Sequence, residues 1–165
     1  MSAPAVEVAP ARFNRWWYDW IDLAQPAAGA TQSYIVGGEA YLRVLTARAS
    51  ITTDSNVASR LISLDFINAR TITYVRNAAA VLVPASTTSQ AFEWSAQRAT
   101  SEWNTSTPVF LPVFDCWLPP GFTVKFAVDS IQSGDQLSGL RLFVMRYPTG
   151  IVGGPENAFA QLPGI

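Results

Sequence analysis

The chain has 165 residues, 49% of them hydrophobic and 14% charged, with a net charge of −1 at neutral pH. That is enough apolar material for one sizeable core, and a charged fraction well below the roughly one quarter of an average soluble domain. Ten arginines and the single Lys125 are scattered without a basic run, which argues against nucleic-acid binding through a charged patch. Histidine is absent, which removes Ser-His-Asp and Cys-His catalysis, His-ligated metals and His pH switches.

Residues 1–11 are mostly Ala, Pro and Val, and Pro4 and Pro10 favour an extended arm. The opening MSAPAVEVAPAR lacks a basic start followed by an apolar core, so no secretory leader is expected. No apolar run approaches the roughly 18 residues of a membrane span. RFNRWWYDWIDL (12–23) follows. Its Phe13, Trp16, Trp17 and Trp20 stand at i, i+3, i+4 and i+7, which predicts one or two helical turns ending before Pro26. Aromatics also favour strands, and a β reading is the alternative.

From Ser33 onward the pattern is β. YLRVLTARASITT (41–53) alternates Leu45, Ala47, Ala49 and Ile51 with Thr46, Arg48 and Ser50. SRLISLDFIN (59–68) alternates Ile62, Leu64 and Phe66 inward with Ser63 and Asp65 outward. TITYVR (71–76) follows a short connection, as in a hairpin, and AAAVLVPAS ends at Pro84. AFEWSAQ (91–97) puts Phe92 and Trp94 on one face, and TPVFLPVF (107–114) carries the prolines of an edge strand. FTVKFAV (122–128) and GLRLFVMRY (139–147) alternate most clearly; in the second, Leu140, Leu142 and Val144 oppose Arg141, Phe143 and Met145. About eight short strands separated by turn signals predict an all-β, antiparallel, jelly-roll-like sandwich. The expected organisation is an N-terminal arm with the aromatic segment (1–32), the sandwich (33–147) and an extended C-terminal tail (148–165).

Candidate chemistry is sparse. Cys116 is the only cysteine, so it builds neither an internal disulfide nor a cysteine zinc site and reads as a small buried hydrophobe. Asp129 precedes the loop IQSGDQLSG (131–139) and Asp135 lies within it, but calcium needs six or more oxygens and the loop is short of acids, so a register-setting turn is the better reading. In TTDSNVASR (52–60), Asp54 or Asn56 suits an Asx-turn, and Arg60 is placed to bridge a carboxylate such as Asp54. Glu93, Glu102 and Asp115 are the acids available to a hydrolase. Trp94 and Trp103 are the candidates for stacking on a sugar, although a buried or interface tryptophan is the commoner fate. No catalytic residue, metal or cofactor is expected. Phe13, Trp16, Trp17, Tyr18 and Trp20 are the expected partner-binding residues, because a few buried aromatics dominate interface energies.

The order of TDSNVASR (53–60), PPG (119–121) and SGDQLSGLRLFV (133–144) resembles small β-sandwich virion proteins encoded near the head and tail genes of tailed bacteriophages. Similar chains carry a TDA-variable-ANR loop and a PAG…aGDq.s…rLlVE ending. The likeness spans roughly residues 40–147, but VMRYPTG replaces the usual ending and the aromatic arm lies outside the pattern. The resemblance implies a structural virion protein made in the bacterial host cytoplasm, most simply a capsid decoration or cement protein. Its partners would be the major capsid protein or other virion proteins, and a homo-oligomer, with a trimer favoured, is expected. Neck, tail or baseplate duty and a carbohydrate- or receptor-binding sandwich are the alternatives.

Overall fold

The structure, a computed structural model, describes residues 16–79, 81–95 and 108–150. Nine strands follow in chain order: β1 (Trp17–Asp22), β2 (Gln32–Ile35), β3 (Ala40–Thr52), β4 (Leu61–Ile67), β5 (Thr73–Ala78), β6 (Gln90–Ser95), β7 (Val109–Pro112), β8 (Thr123–Asp129) and β9 (Gln136–Pro148). They form a five-stranded sheet in the order β1-β9-β3-β6-β7 and a four-stranded sheet in the order β2-β8-β4-β5. With β7 set aside, the first strand pairs with the last, the second with the next to last, and so on inward, successive pairs falling in opposite sheets. This is the wiring of a jelly roll. β7 is an added edge strand, parallel to β6, and Pro112 at its end suits an edge.

The alternation read from the sequence places the core. Ile62, Leu64 and Phe66 from β4 and Val124, Phe126 and Val128 from β8 face Ala47, Ala49 and Ile51 of β3 and Leu142 and Val144 of β9. Trp94 of β6 sits at the centre, fully buried, its ring edge-on to Phe126 of the opposite sheet at 6.0 Å between centroids. Its indole N–H donates to the Asn77 carbonyl at 2.9 Å, so the large ring is buried without an orphaned donor.

Two findings depart from the expected pattern. Residues 17–22 are a strand, and among the described residues there is no helix. The backbone of this segment belongs to the five-stranded sheet, paired with β9 from Trp17↔Arg146 to Asp22↔Arg141. The sandwich therefore includes a strand from the segment read as an arm. The second departure is Leu45. The ladder to β9 slips between Val44 and Thr46, so Leu45 is an extra residue on β3. This bulge lets Val44 and Ala47 both face the core and turns Leu45 away from it. A second slip, between Arg48 and Ser50, falls opposite Gly139, whose φ of 59° suits glycine at a bulge.

Candidate interaction face

Alternation along β1 sends Tyr18, Trp20 and Asp22 to the outer face of the five-stranded sheet, and Asp19 and Ile21 toward the other sheet. On the neighbouring β9 the outward row is Arg141, Phe143 and Met145, the face opposite Leu142 and Val144. The two rows interlock. Phe143 stacks on Tyr18 at 5.7 Å and tilts against Trp20 at 4.7 Å, and Trp16 meets Tyr18 edge-on at 5.4 Å. Trp16, Tyr18 and Trp20 remain 51%, 50% and 47% exposed, so the cluster orders the rings without hiding them. Leu45, turned outward by its bulge, joins Tyr18, Thr46, Ser95 and Phe143 around a shallow recess of about 250 Å³.

The charges on this face are matched. Arg141 donates to both carboxylate oxygens of Asp22 and lies 5.2 Å from the centroid of the Trp20 ring. Arg43 forms a two-pronged pair with Asp115, and Arg48 donates to Glu93 at 2.9 Å. The hydrogen bonds that Arg43 donates to Asp115, and secondarily the Asp115 charge, raise the Arg43 pKa against the opposing effect of partial burial. Each of these arginines is already engaged by an acid. The face thus offers aromatic area beside neutralised ion pairs, which suits contact with another protein better than capture of a phosphate backbone. A second recess, of about 440 Å³, is lined by Asp22, Leu23, Gln25, Arg48, Leu140 and Arg141.

Two of the segments that carry the resemblance, TDSNVASR and SGDQ, meet elsewhere, at one end of the sandwich, while PPG lies at the other end of β8. Arg60, fully buried, donates through Nε and Nη2 to the two oxygens of Asp135, each at 2.9 Å. Nη2 also donates to Asp54 at 2.6 Å, and Nη1 to the carbonyls of Asn56 and Ala58 at 2.9 and 2.8 Å. All five guanidinium protons have acceptors. Asp135, also fully buried, accepts in addition from the backbone N–H groups of Asp54 and Gln132 at 3.0 and 2.7 Å. Burial pushes the Asp135 carboxyl up, but the Arg60 bond and these two N–H groups outweigh it and hold its pKa below the usual carboxylate value. A Cβ on Gly134 would lie 2.8 Å from Asp54 Cβ, so glycine allows the two loops to touch.

Asp54 also accepts from the Asn56 N–H at 3.1 Å, the expected Asx-turn. The expected Arg60–Asp54 bridge is present, joined by Asp135, a partner 75 residues further on that no local spacing announces. Asp135 is fully committed to Arg60, and Asp129 pairs with Arg76 at 2.5 Å, so these two acids do not form a cation site.

The remaining candidates divide as follows. Trp94 is core, with no face open to a sugar. Glu93 is on the outer face, as its alternation implies, but is buried under Arg48 instead of lying free in solvent. Asp115 is exposed and paired with Arg43. Cys116 is half-buried against the core edge, and burial, with the nearby Asp115 charge, pushes its thiol pKa up to about 11. Phe13, Glu102 and Trp103 lie outside the described residues, as does the tail beyond Gly150. The aromatic face gains Phe143, Leu45 and Arg141, which sequence reasoning left out; the outward alternation of Arg141 and Phe143 was the available signal.

No protein-family model matches the chain, and neither a curated protein nor a solved structure is significantly similar to it.

Proposed function

We propose that the chain is a structural protein of a tailed-phage virion, one that decorates or cements the capsid by burying the aromatic outer face of its five-stranded sheet against the shell. The observation that carries this reading is the exposure of Trp16, Tyr18 and Trp20 on a domain whose core is complete without them. Rigid aromatics flanking a recess are the usual makings of an interface hot spot. The jelly roll is a recurrent architecture of viral capsid domains, which supports the reading by analogy of fold alone. The segments TDSNVASR and SGDQ, which carry part of the resemblance, are joined here through the buried Arg60 and Asp135.

The test is mass spectrometry and cryo-electron microscopy of particles purified from the strain that carries the gene. The chain is expected in the particle at a copy number set by shell symmetry, with the β1 face toward its neighbour. A Tyr18→Ser/Trp20→Ser variant is expected to fold but to stay in the unbound fraction. Absence of the parent chain from purified particles refutes the reading, and density at the neck, tail or baseplate replaces decoration with an accessory role.

A second reading is a carbohydrate- or receptor-binding domain: the half-exposed Trp20 ring, with Arg141 at 5.2 Å from its centroid, suits stacking on a sugar, and Arg141 also lines the recess with Asp22, Gln25 and Arg48. Saturable glycan binding abolished by Trp20→Ser, with no particle association, would decide for it.

A further inference from the structure

We propose that β1 is a strand-addition edge whose occupant is β1 of a second copy of this chain, paired antiparallel about a two-fold axis at Trp20. The inference stands on backbone geometry and does not depend on the virion reading. The Leu23 N–H donates to the Leu140 carbonyl at 2.9 Å. In an antiparallel ladder the residues that turn their N–H and C=O to a given neighbour alternate. Leu23, Ile21, Asp19 and Trp17 therefore face β9, and Tyr18, Trp20 and Asp22 turn their backbone groups away from it. Among the described residues no strand lies beyond β1.

The other three edges are blunted and this one is not. β7 contains Pro112 and follows Pro108. β2 has only four residues. β5 is already engaged at Asn77, whose carbonyl accepts from Trp94 and whose side chain accepts from the Phe114 N–H at 3.1 Å. β1 offers six residues with no proline, lysine or arginine. Its one inward acid, Asp19, is neutralised by Arg146 at 3.1 Å. Edges of this kind recruit other strands unless something prevents it.

The sequence of β1 is also complementary to itself in one register. With the axis at Trp20, Tyr18 lies opposite Asp22 of the second copy, so the phenol can donate to that carboxylate. Trp17 meets Leu23, and the two Trp20 rings adjoin. Every residue of β1 except Trp17, which faces Leu23 just past its end, is then paired within the strand. Moving the axis to Asp22 sets two like charges face to face, which destabilises a strand pair. Moving it to Tyr18 leaves Trp20, Ile21 and Asp22 opposite residues outside the strand. The chosen register merges the two aromatic clusters into one continuous patch on a sheet of doubled width. It yields a two-fold dimer in place of the trimer favoured from the sequence.

The test uses the full-length chain. The parent is expected to sediment as a dimer at about 100 µM, a concentration that reveals even a modest homodimer. Tyr18→Pro removes an outward N–H that β9 does not use, and is expected to weaken dimerisation at least about tenfold while leaving the fold intact. For the register, Trp20→Cys is placed in a Cys116→Ser background. Hydrogen-bonded antiparallel partners stand about 5.5 Å apart at Cα, within disulfide reach. Oxidation is expected to cross-link Trp20→Cys and to leave Asp19→Cys monomeric on a denaturing gel. A monomeric parent overturns the proposal, as does a Tyr18→Pro protein that dimerises like the parent or a Trp20→Cys protein that fails to cross-link. If Tyr18→Pro fails to fold, the two cysteine variants decide.

Discussion

Replacing Asp135 by Asn changes one atom and removes the counter-charge from a buried guanidinium. In the parent, Asp135 accepts from Arg60 Nε and Nη2 and from the N–H groups of Asp54 and Gln132. Asn fills the same space, but its NH2 must point at donors whichever way it is turned. Breaking a buried ion pair from one side costs about 3–5 kcal/mol. Asp54 remains on Nη2 as a partial counter-charge, which places the expected loss near about 3 kcal/mol on that scale. For a domain of this size each kcal/mol moves Tm by roughly 3–4 °C, so Tm should fall by roughly 10 °C. Calorimetry and urea titration at pH 7 read this directly, with Arg43→Ala as the surface control. That variant opens a pair whose side chains are 31% and 53% exposed, and such pairs contribute less than about 1 kcal/mol. If Asp135→Asn melts no lower than Arg43→Ala, the end of the sandwich is not held by this cluster.

Three further outcomes follow from the same geometry. The Asp135 pKa is lowered in the folded protein, so its stabilisation is fully present above the ordinary carboxylate pKa and is lost as pH falls through the folded value; parent Tm should drop below about pH 4, and Asp135→Asn should flatten that drop. Asp65 runs the other way, its pKa raised by burial against the weaker opposing charge of Arg76, so the cost of its charge appears as pH rises through the folded value; Asp65→Asn should leave Tm at pH 7 unchanged or slightly higher, with no gain at pH 3. Gly134→Ala should push Asp54 off Arg60 and cost about 1–3 kcal/mol, read as a shifted urea midpoint with an unchanged slope.

The sandwich was legible because its strands keep the period of two along β4, β6, β8 and the second half of β9, where each inward row reads directly as Ile, Leu, Val, Phe or Trp. Residues 16–22 misled because an aromatic run satisfies two periods at once. Phe13, Trp16, Trp17 and Trp20 fit a helix, while Trp16, Tyr18 and Trp20 fit one face of a strand. The choice was made by β9, more than a hundred residues away, whose Phe143 supplies the surface on which Tyr18 and Trp20 stack. Leu45 was misplaced because a bulge is a property of two strands in register, invisible in either alone. Arg60 looked like part of a polar loop. Its burial becomes affordable only when Asp135 arrives from a different loop, so composition gave the residues and topology gave their meeting.

The pairing of β1 with β9 also sets when, during synthesis, the five-stranded sheet can close. Trp17 finds its partner at Arg146, so the five-stranded sheet closes only after β9 has been synthesised. Contacts of such long sequence separation fold slowly. Until then the tryptophan-rich strand waits unpaired, the state in which apolar edges aggregate. Yield in a recombinant host should therefore depend on temperature and chaperone supply more steeply than the equilibrium stability of the finished domain implies.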